Sequence, residues 1–169
     1  KEQSEEKNVV SFACDTGNKY LSKCFNDFWL EDQGFLERES HGDLRDLIGR
    51  LHDERATVVV GPDDILTTAH NRLRNAGFSQ LPVIDNKKLV GILTEDTIIR
   101  FVFGKPEMMN RSVSDDMETA FIKLEKETTI DNLVSLLHVQ PYAAVMDGDN
   151  FLGLITRSDV LNYLRKKIK

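Results

Sequence analysis

The sequence predicts a mixed α/β (α+β) fold built from two similar halves, each with the element order β-α-β-β-α. The main evidence is a stretch that occurs twice, as LVGILTEDT at residues 89–97 and as FLGLITRSD at residues 151–159, 62 residues apart. Each copy is an apolar run that passes through a Gly to a Thr and opens an apolar-periodic segment, which is typical of a buried strand followed by a Thr-capped helix. The same offset pairs two further sets of identical residues: Val83 with Val145, and Asp85 with Asp147. Such a repeat indicates a duplicated structural unit.

The first half is predicted to span residues 51–104. Gly77 is expected to end its first helix, because Gly adopts the left-handed conformation, and Thr94 is expected to cap its second. The predicted elements are a strand at 57–60, a helix opened by Pro-Asp-Asp at 62–64, a hairpin of strands at 81–84 and 89–93, and a helix from Thr94 to about Val102. The residues expected to face inward from the first helix are Ile65, Ala69, Leu73 and Ala76.

The second half is predicted to span residues 120–169, after a linker at 105–119. Its elements are a strand at 120–124, a helix capped by Thr128 or Thr129, a hairpin of strands at 143–146 and 151–155, and a final helix capped by Thr156. The residues expected to face inward are Ile130, Leu133, Val134 and Leu137 on the first helix, and Val160, Leu161 and Leu164 on the last. Units of about 50 residues bury too little surface to be stable alone, so the halves are expected to share a core around a pseudo-two-fold axis.

Residues 1–50 do not belong to the repeat. A short strand is predicted at 9–12, a helix from Asn18 that Gln33-Gly34 ends, and a short helix within 43–48. The chain has two cysteines, Cys14 and Cys24, which imply no disulfide framework, and a reducing cytoplasm is the expected setting.

Composition excludes several classes of function. The net charge of −6 argues against binding nucleic acid through phosphate neutralisation. No segment approaches the ~18 apolar residues of a membrane span, and residues 1–7 lack the apolar core of a secretory signal. The four His residues have no metal-ligand spacing, so no metal site is predicted.

Two β-α-β-β-α units that each end in G-h-h-T (h, apolar) resemble a tandem pair of CBS domains, the Bateman module, over residues 55–169. Residues 9–23 (VVSFACDTGNKYLSK), together with Trp29 and residues 33–35, resemble the closing strand and helix of fold-type II pyridoxal-phosphate enzymes of the cystathionine β-synthase group. The resemblance therefore implies the C-terminal regulatory region of a cystathionine β-synthase-like enzyme, preceded by a strand-helix remnant of its catalytic domain.

Most of the catalytic equipment of that group is absent. Its Schiff-base lysine lies in an S-x-K-x-R context that does not occur here, and its Gly-rich phosphate loop is also missing. By resemblance, Thr16 corresponds to the residue at the pyridine nitrogen of the cofactor. In this chain, a role as a turn residue explains the presence of Thr16 more simply. We therefore expect no cofactor in this chain and pyridoxal phosphate in the parent enzyme only.

Thr156 and Asp159 are the best candidates for binding a ligand. A carboxylate can accept both hydroxyls of a ribose, and a Thr hydroxyl beside a helix N-terminus can hold the groups on C5′ of an adenosine. The same Thr-x-x-Asp spacing also makes a capping box, which satisfies backbone N–H groups without any ligand, and spacing alone favours that alternative. The repeat and the family resemblance favour the adenosyl ligand.

The first copy differs from the second at one position. Thr94 is present, but Thr97 stands where the ribose-binding Asp is expected, and Asp96 lies about 100° away around the helix. The pocket of the first copy is therefore predicted to be a weak or empty second site. The cystathionine β-synthases that are regulated by S-adenosylmethionine show a similar asymmetry.

In those enzymes a stretch like residues 77–80 of the first copy lines the pocket of the second. The resemblance implies that Phe78 covers the adenine face and that Gln80 bonds a polar edge, although a plain core role for Phe78 is equally open. Ser79 stands where the group often has Asp, which leaves open how the amino-acid end of the ligand is held.

The leading hypothesis is a non-catalytic regulatory module that pairs into a homodimer and controls an attached catalytic domain. Only Arg157 is adjacent to Thr156, and an acidic domain tolerates a sulfonium better than a polyphosphate, which favours S-adenosylmethionine over AMP or ATP. The alternatives are a structural oligomerisation unit without a ligand and a pyridoxal-phosphate enzyme in its own right.

Overall fold

The computed structural model describes residues 25, 27–37, 40–49, 52 and 57–167. The chain divides into two compact units, residues 1–39 and 40–169. In the first unit, helix α1 spans Asp27–Gln33 and Gly34 ends it at φ 79°, as predicted. The predicted strand at 9–12, the start of the predicted helix at Asn18 and the position of Thr16 lie outside the described residues.

The second unit contains the doubled arrangement of elements. In chain order it has a 3₁₀ turn (Leu44–Leu47), α2 (Leu66–Ala76), β1 (Gln80–Asp85), β2 (Lys88–Thr94), α3 (Glu95–Val102), a 3₁₀ turn (Pro106–Asn110), α4 (Val113–Asp116), β3 (Lys123–Glu125), α5 (Ile130–Leu137), β4 (Tyr142–Asp147), β5 (Asn150–Thr156) and α6 (Arg157–Lys167). β1 and β2 form an antiparallel pair, and in the second sheet β4 pairs parallel with β3 and antiparallel with β5. The mixed α/β class is confirmed.

The two hairpins repeat each other in detail. Each has a register shift at the same place, between Val83 and Ile84 in β1 and between Val145 and Met146 in β4. The turns also require left-handed backbone, at Asn86 and Lys87 in the first hairpin and at Gly148 in the second. A bulge that recurs at the repeat offset shows that the similarity of the halves extends to backbone geometry.

The start of the first half differs from the prediction. The strand predicted at 57–60 is reduced to one parallel bridge between Val60 and Val83, and the preceding Val59 carbonyl accepts a hydrogen bond from Arg72. Helix α2 begins at Leu66 rather than at 62–64. Asp64 precedes it in a turn, where its carboxylate accepts hydrogen bonds from the Gly61 N–H (2.9 Å) and from Arg72 (2.7 Å).

Some inward-facing assignments are also wrong. Ile65 is 39% exposed because it lies before α2 as its N-cap, not on its inner face. On α6, Leu161 and Leu164 are 67% and 44% exposed. Val160 is buried and Tyr163 packs beside it, so the inner face of α6 follows the spacing from Val160 to Tyr163.

Three apolar clusters form the interior. The core of the first half contains Val60, Leu66, Ala69, Leu73, Leu81, Val83, Leu93, Ile98 and Val113. The core of the second half contains Leu44, Leu47, Ile48, Leu133, Leu137, Ala143, Val145, Leu152, Ile155 and Val160. The third cluster joins the two hairpins and contains Leu89, Ile92, Tyr142, Ala144, Met146 and Phe151. This third cluster is the shared core that the small size of each half predicts.

Each half also receives a short helical turn from the chain that precedes the other half. Leu44 and its neighbours pack into the core of the second half, and the Leu44 N–H donates to the Lys126 carbonyl at 2.9 Å. Val113 packs into the core of the first half, although it lies in the predicted linker. The segment after Val113 then pairs with β2, where Ile92 and Glu118 exchange both backbone hydrogen bonds at 2.8 and 2.9 Å. The halves are therefore interlocked.

The crossing of the chain between the halves explains why the first repeated stretch has Gly, and not a larger residue, at position 91. A Cβ at Gly91 would lie 2.5 Å from Met117 Sδ and 3.2 Å from the Glu118 carbonyl oxygen. The second of these atoms is backbone and is fixed by the pairing with Ile92, so it cannot move aside. Gly at this position allows the crossing segment to lie against the strand.

We therefore expect Gly91→Ala to lower the free energy of unfolding by about 1–3 kcal/mol, because the added methyl overpacks the crossing. Urea unfolding followed by circular dichroism measures the change. Gly61→Ala is the matched control, since its Cβ would find its nearest atom, Asp64 Oδ2, at an ordinary 3.8 Å. Equal stability of the two variants would contradict this explanation.

Candidate functional site

Thr156 and Asp159 lie together where β5 ends and α6 begins. Asp159 Oδ2 accepts hydrogen bonds from the Thr156 N–H at 2.7 Å and from the Thr156 hydroxyl at 2.6 Å. The Asp159 N–H points back to the Thr156 hydroxyl oxygen at a long 3.4 Å. This is the reciprocal geometry of a capping box, which holds the Asp159 side chain in one orientation.

The second carboxylate oxygen of Asp159 faces the segment before the first half. A Cβ added at Gly49 would lie 3.2 Å from Asp159 Oδ1, and Gly49 itself is exposed. Within the described residues, the hydrogen bonds to this carboxylate all reach Oδ2. Among the described contacts, Oδ1 is therefore the oxygen that is left to accept further hydrogen bonds, and the absence of a Cβ at Gly49 avoids a tight contact with it.

Burial raises the pKa of the Asp159 carboxyl group, although its hydrogen bonds with Thr156 act in the opposite direction. The charged form is thus incompletely compensated by the protein. A partner that donates hydrogen bonds to Oδ1 would stabilise the ionised carboxylate.

Arg157 follows Thr156 in sequence, but its guanidinium points to the end of another helix. Its Nε donates to the Leu137 carbonyl at 2.7 Å and its Nη2 donates to the His138 carbonyl at 3.4 Å. These carbonyls belong to the C-terminal end of α5, where a cation is favoured. The positive charge adjacent to Thr156 is therefore already engaged within the chain.

The corresponding position in the first half has different chemistry. Thr94 caps α3 by accepting the Thr97 N–H at 3.0 Å, and Thr97 is buried at 1% exposure. The two hydroxyl oxygens lie 2.9 Å apart, and the Thr97 hydroxyl donates to Glu118 Oε1 at 3.0 Å. Asp96 is exposed and forms an ion pair with Arg100 at 2.6 Å.

Glu118 also binds the second half, because the Tyr142 hydroxyl donates to its Oε2 at 2.5 Å. Burial, and then the hydrogen bond and negative charge of Glu118, raise the pKa of the Tyr142 phenol far above its ordinary value. Glu118 cannot be recognised from the sequence. No motif contains it, and its position beside Thr97 results from the crossing of the chain between the halves.

Phe78, Ser79 and Gln80 lie beside Thr94 in the first half. Gln80 is the cross-strand partner of Thr94, and the Ser79 carbonyl accepts the Glu95 N–H at 2.9 Å. Phe78 packs against the core of the first half. The candidate ligand residues thus form two groups, one around Thr156 at the start of α6 and one around Thr94 at the start of α3.

Two kinds of site have no support in the described part of the chain. Its His, Cys, Asp and Glu side chains form no cluster of three that could hold a metal ion. None of its helices has the length and apolar character needed to cross a bilayer.

Comparison with known proteins identifies the family. The family model described as CBS domain matches residues 44–104 and 112–166. Cystathionine beta-synthase of Dictyostelium discoideum is 25% identical over 179 residues, which cover 98% of this chain and 36% of that protein. The chain spans about a third of the length of such curated relatives.

Solved structures agree on the fold. A CBS domain-containing protein of unknown function from Bacillus anthracis has a TM-score of 0.66 at 22% identity, covering 75% of this chain and 95% of that chain. CBSX2 in complex with AMP has a TM-score of 0.65 at 20% identity, covering 75% and 98%. The expected tandem pair of CBS domains is confirmed.

The raised pKa of Asp159 leads to a pH-dependent prediction. A raised pKa means that the folded state favours the protonated carboxyl, so this contribution to stability is present at low pH and is lost as pH rises through the folded-state pKa. We expect Asp159→Asn to unfold at a higher urea concentration than the parent at pH 7, with the difference shrinking toward pH 4. Asn retains an oxygen that can accept the Thr156 hydrogen bonds.

Urea midpoints at several pH values measure this difference. Asp149→Asn, in an exposed turn, is the control and should show no such trend. An Asp159→Asn variant that is less stable than the parent at pH 7 would be evidence that the carboxylate serves chiefly as a cap.

Proposed function

Because this chain belongs to the CBS-domain family, we propose that it is a non-catalytic regulatory module that binds an adenosyl ligand at Thr156 and Asp159. The observation that carries the proposal is the Asp159 carboxylate. One of its oxygens is held by Thr156, and the other lies near Gly49 and accepts no hydrogen bond from the described residues in the contacts given above. The carboxylate is thus oriented before any ligand arrives, which lowers the entropy cost of binding.

The chemistry of the site suits a ribose. Asp159 Oδ1 can accept hydrogen bonds from vicinal hydroxyls, and these bonds would favour the ionised form that burial disfavours. The N-terminus of α6 and the Thr156 hydroxyl would hold the groups on C5′ of the same nucleoside. The family resemblance would assign the adenine to Phe78 and Gln80 and the amino-acid end to Ser79, although the described contacts of these residues lie around Thr94 and not around Thr156.

S-adenosylmethionine is the preferred ligand over AMP or ATP. A polyphosphate requires cations, and the adjacent Arg157 is engaged with the carbonyls that end α5. The net charge of −6 also favours a ligand that carries a sulfonium cation. The similar CBSX2 structure contains AMP, which makes AMP the main competitor in any test.

We place this module in the cytoplasm, attached to a pyridoxal-phosphate-dependent catalytic domain for transsulfuration or cysteine synthesis. The alignment with cystathionine beta-synthase covers nearly all of this chain but only about a third of that protein. Pyridoxal phosphate would belong to the parent enzyme, where Thr16 would lie at the cofactor. Ligand binding would regulate that enzyme if two arrangements of the module differ in affinity.

A homodimer would form through the last helix of each half. Ile99 and Phe103 at α3 are 62% and 86% exposed, and Leu161 and Leu164 on α6 are 67% and 44% exposed. Ile99 and Leu161 are related by the repeat offset, so the module presents two similar apolar faces. Burying such faces against a second copy is favourable.

The alternative function is a structural oligomerisation module without a small-molecule ligand. The capping box favours it, because Thr156 and Asp159 satisfy each other without a ligand. In that case the exposed faces of α3 and α6 would carry the function.

Calorimetric titration with S-adenosylmethionine, AMP and ATP tests ligand binding. We expect S-adenosylmethionine to bind most tightly, and Asp159→Ala to weaken it at least about tenfold, since a hydrogen bond to a charged group contributes roughly 1.5–3 kcal/mol. Asp149→Ala should bind like the parent. Millimolar or weaker binding of all three ligands, or unchanged binding by Asp159→Ala, would support the alternative.

Sedimentation of the Ile99→Glu/Leu161→Glu variant tests the dimer. We expect the parent to sediment as a dimer and the variant as a monomer, because two buried carboxylates oppose association. Val139→Glu is the matched control, since Val139 is 85% exposed but lies on neither helix. A monomeric parent, or a variant that still dimerises, would rule out these faces as the interface.

A further inference from the structure

We infer that Glu118 closes the pocket of the first half by supplying, from across the molecule, the carboxylate that this half lacks in its own helix. The inference rests on the proposed adenosyl binding, since it states which of the two equivalent pockets can take that ligand. It predicts one ligand per chain.

The repeat offset identifies the equivalent positions. Thr94 and Thr97 in the first half correspond to Thr156 and Asp159 in the second. In the second half, Thr156 donates its hydroxyl to a carboxylate on its own helix. In the first half, the corresponding helix position is Thr97, and the carboxylate that binds there is that of Glu118.

The Glu118 carboxylate has partners on both of its oxygens. Oε1 accepts from Thr97 at 3.0 Å and Oε2 accepts from Tyr142 at 2.5 Å. Asp159, by contrast, accepts its described hydrogen bonds at Oδ2, and its Oδ1 lies near Gly49. A ribose entering the first half would have to displace the hydrogen bonds that Glu118 already accepts. A ribose entering the second half would instead donate new hydrogen bonds to Asp159 Oδ1.

Glu118 is also fixed by its backbone. It exchanges both main-chain hydrogen bonds with Ile92, a fully buried residue in the middle of β2. Its partner Tyr142 is 2% exposed and belongs to the shared core. The side chain therefore cannot swing into solvent without giving up the charge-assisted hydrogen bonds that the Tyr142 phenol and the Thr97 hydroxyl donate to it, which is unfavourable.

The same geometry explains why Thr stands at position 97. A carboxylate at this site would lie against the Glu118 carboxylate, and like charges at such a distance repel. The neutral hydroxyl of Thr97 instead donates a hydrogen bond to Glu118. Thr97 and Glu118 thus form a matched pair, and both must change before the first pocket can resemble the second.

The test is the number of S-adenosylmethionine molecules bound per chain, measured by calorimetry on the parent, on Thr97→Asp and on Thr97→Asp/Glu118→Ala. We expect one in the parent, one in the single variant, where two carboxylates face each other, and two in the double variant. Two ligands on the parent would overturn the inference, as would one on a folded double variant.

A parent that binds no ligand would overturn the proposed function.

A second measurement tests the hydrogen bonds of Glu118 in the absence of ligand. Urea midpoints of Glu118→Ala, Tyr142→Phe and the double variant form a cycle. We expect the double variant to shift the midpoint by clearly less than the sum of the two single shifts, because both remove the same hydrogen bond. Additive shifts would show that Glu118 and Tyr142 act independently and would overturn the inference. Glu127→Gln, on an exposed side chain, is the control and should be additive with Tyr142→Phe.

Discussion

The structure of residues 40–169 depends on the crossing of the chain between its two halves. Glu118 pairs through its backbone with Ile92, and Met117 fills the space that Gly91 leaves open. The crossing lets Val113 complete the core of the first half, much as Leu44 and its neighbours complete the core of the second. Neither half of about 50 residues could bury enough apolar surface alone, so this exchange is what makes a stable domain from two small units.

The exchange also accounts for the extent of the family match. Its two matched ranges begin at residues 44 and 112, so each includes the helical turn that packs on the opposite half. Folding and the two candidate pockets are therefore linked, because the segments that interlock the halves are those that carry Gly49 and Glu118. A change in how the halves meet would alter both candidate pockets.

The two candidate pockets differ in which residue supplies the carboxylate and in which groups donate hydrogen bonds to it. Asp159 provides a part-buried carboxylate whose pKa burial raises, although its hydrogen bonds with Thr156 act in the opposite direction. In the first half the equivalent position is a neutral Thr97, and the charge comes from Glu118, which Thr97 and Tyr142 satisfy. A carboxylate with a perturbed pKa is more typical of a functional position than one whose oxygens both have partners within the protein.

The duplicated α/β fold, the hairpins and the Thr caps of α3 and α6 follow from the amino-acid sequence alone. These features depend on apolar periodicity, turn residues and capping, which are local in the chain. The local pattern was insufficient where tertiary packing determines the outcome: only Val60 of the predicted first strand pairs with β1, and packing turns Val160 and Tyr163 inward on α6 instead of Leu161 and Leu164. The contacts of Glu118 with Thr97 and of Gly49 with Asp159 depend on the tertiary fold. Each of these contacts joins residues 21 or more apart through a crossing of the chain, and no local pattern encodes such a crossing.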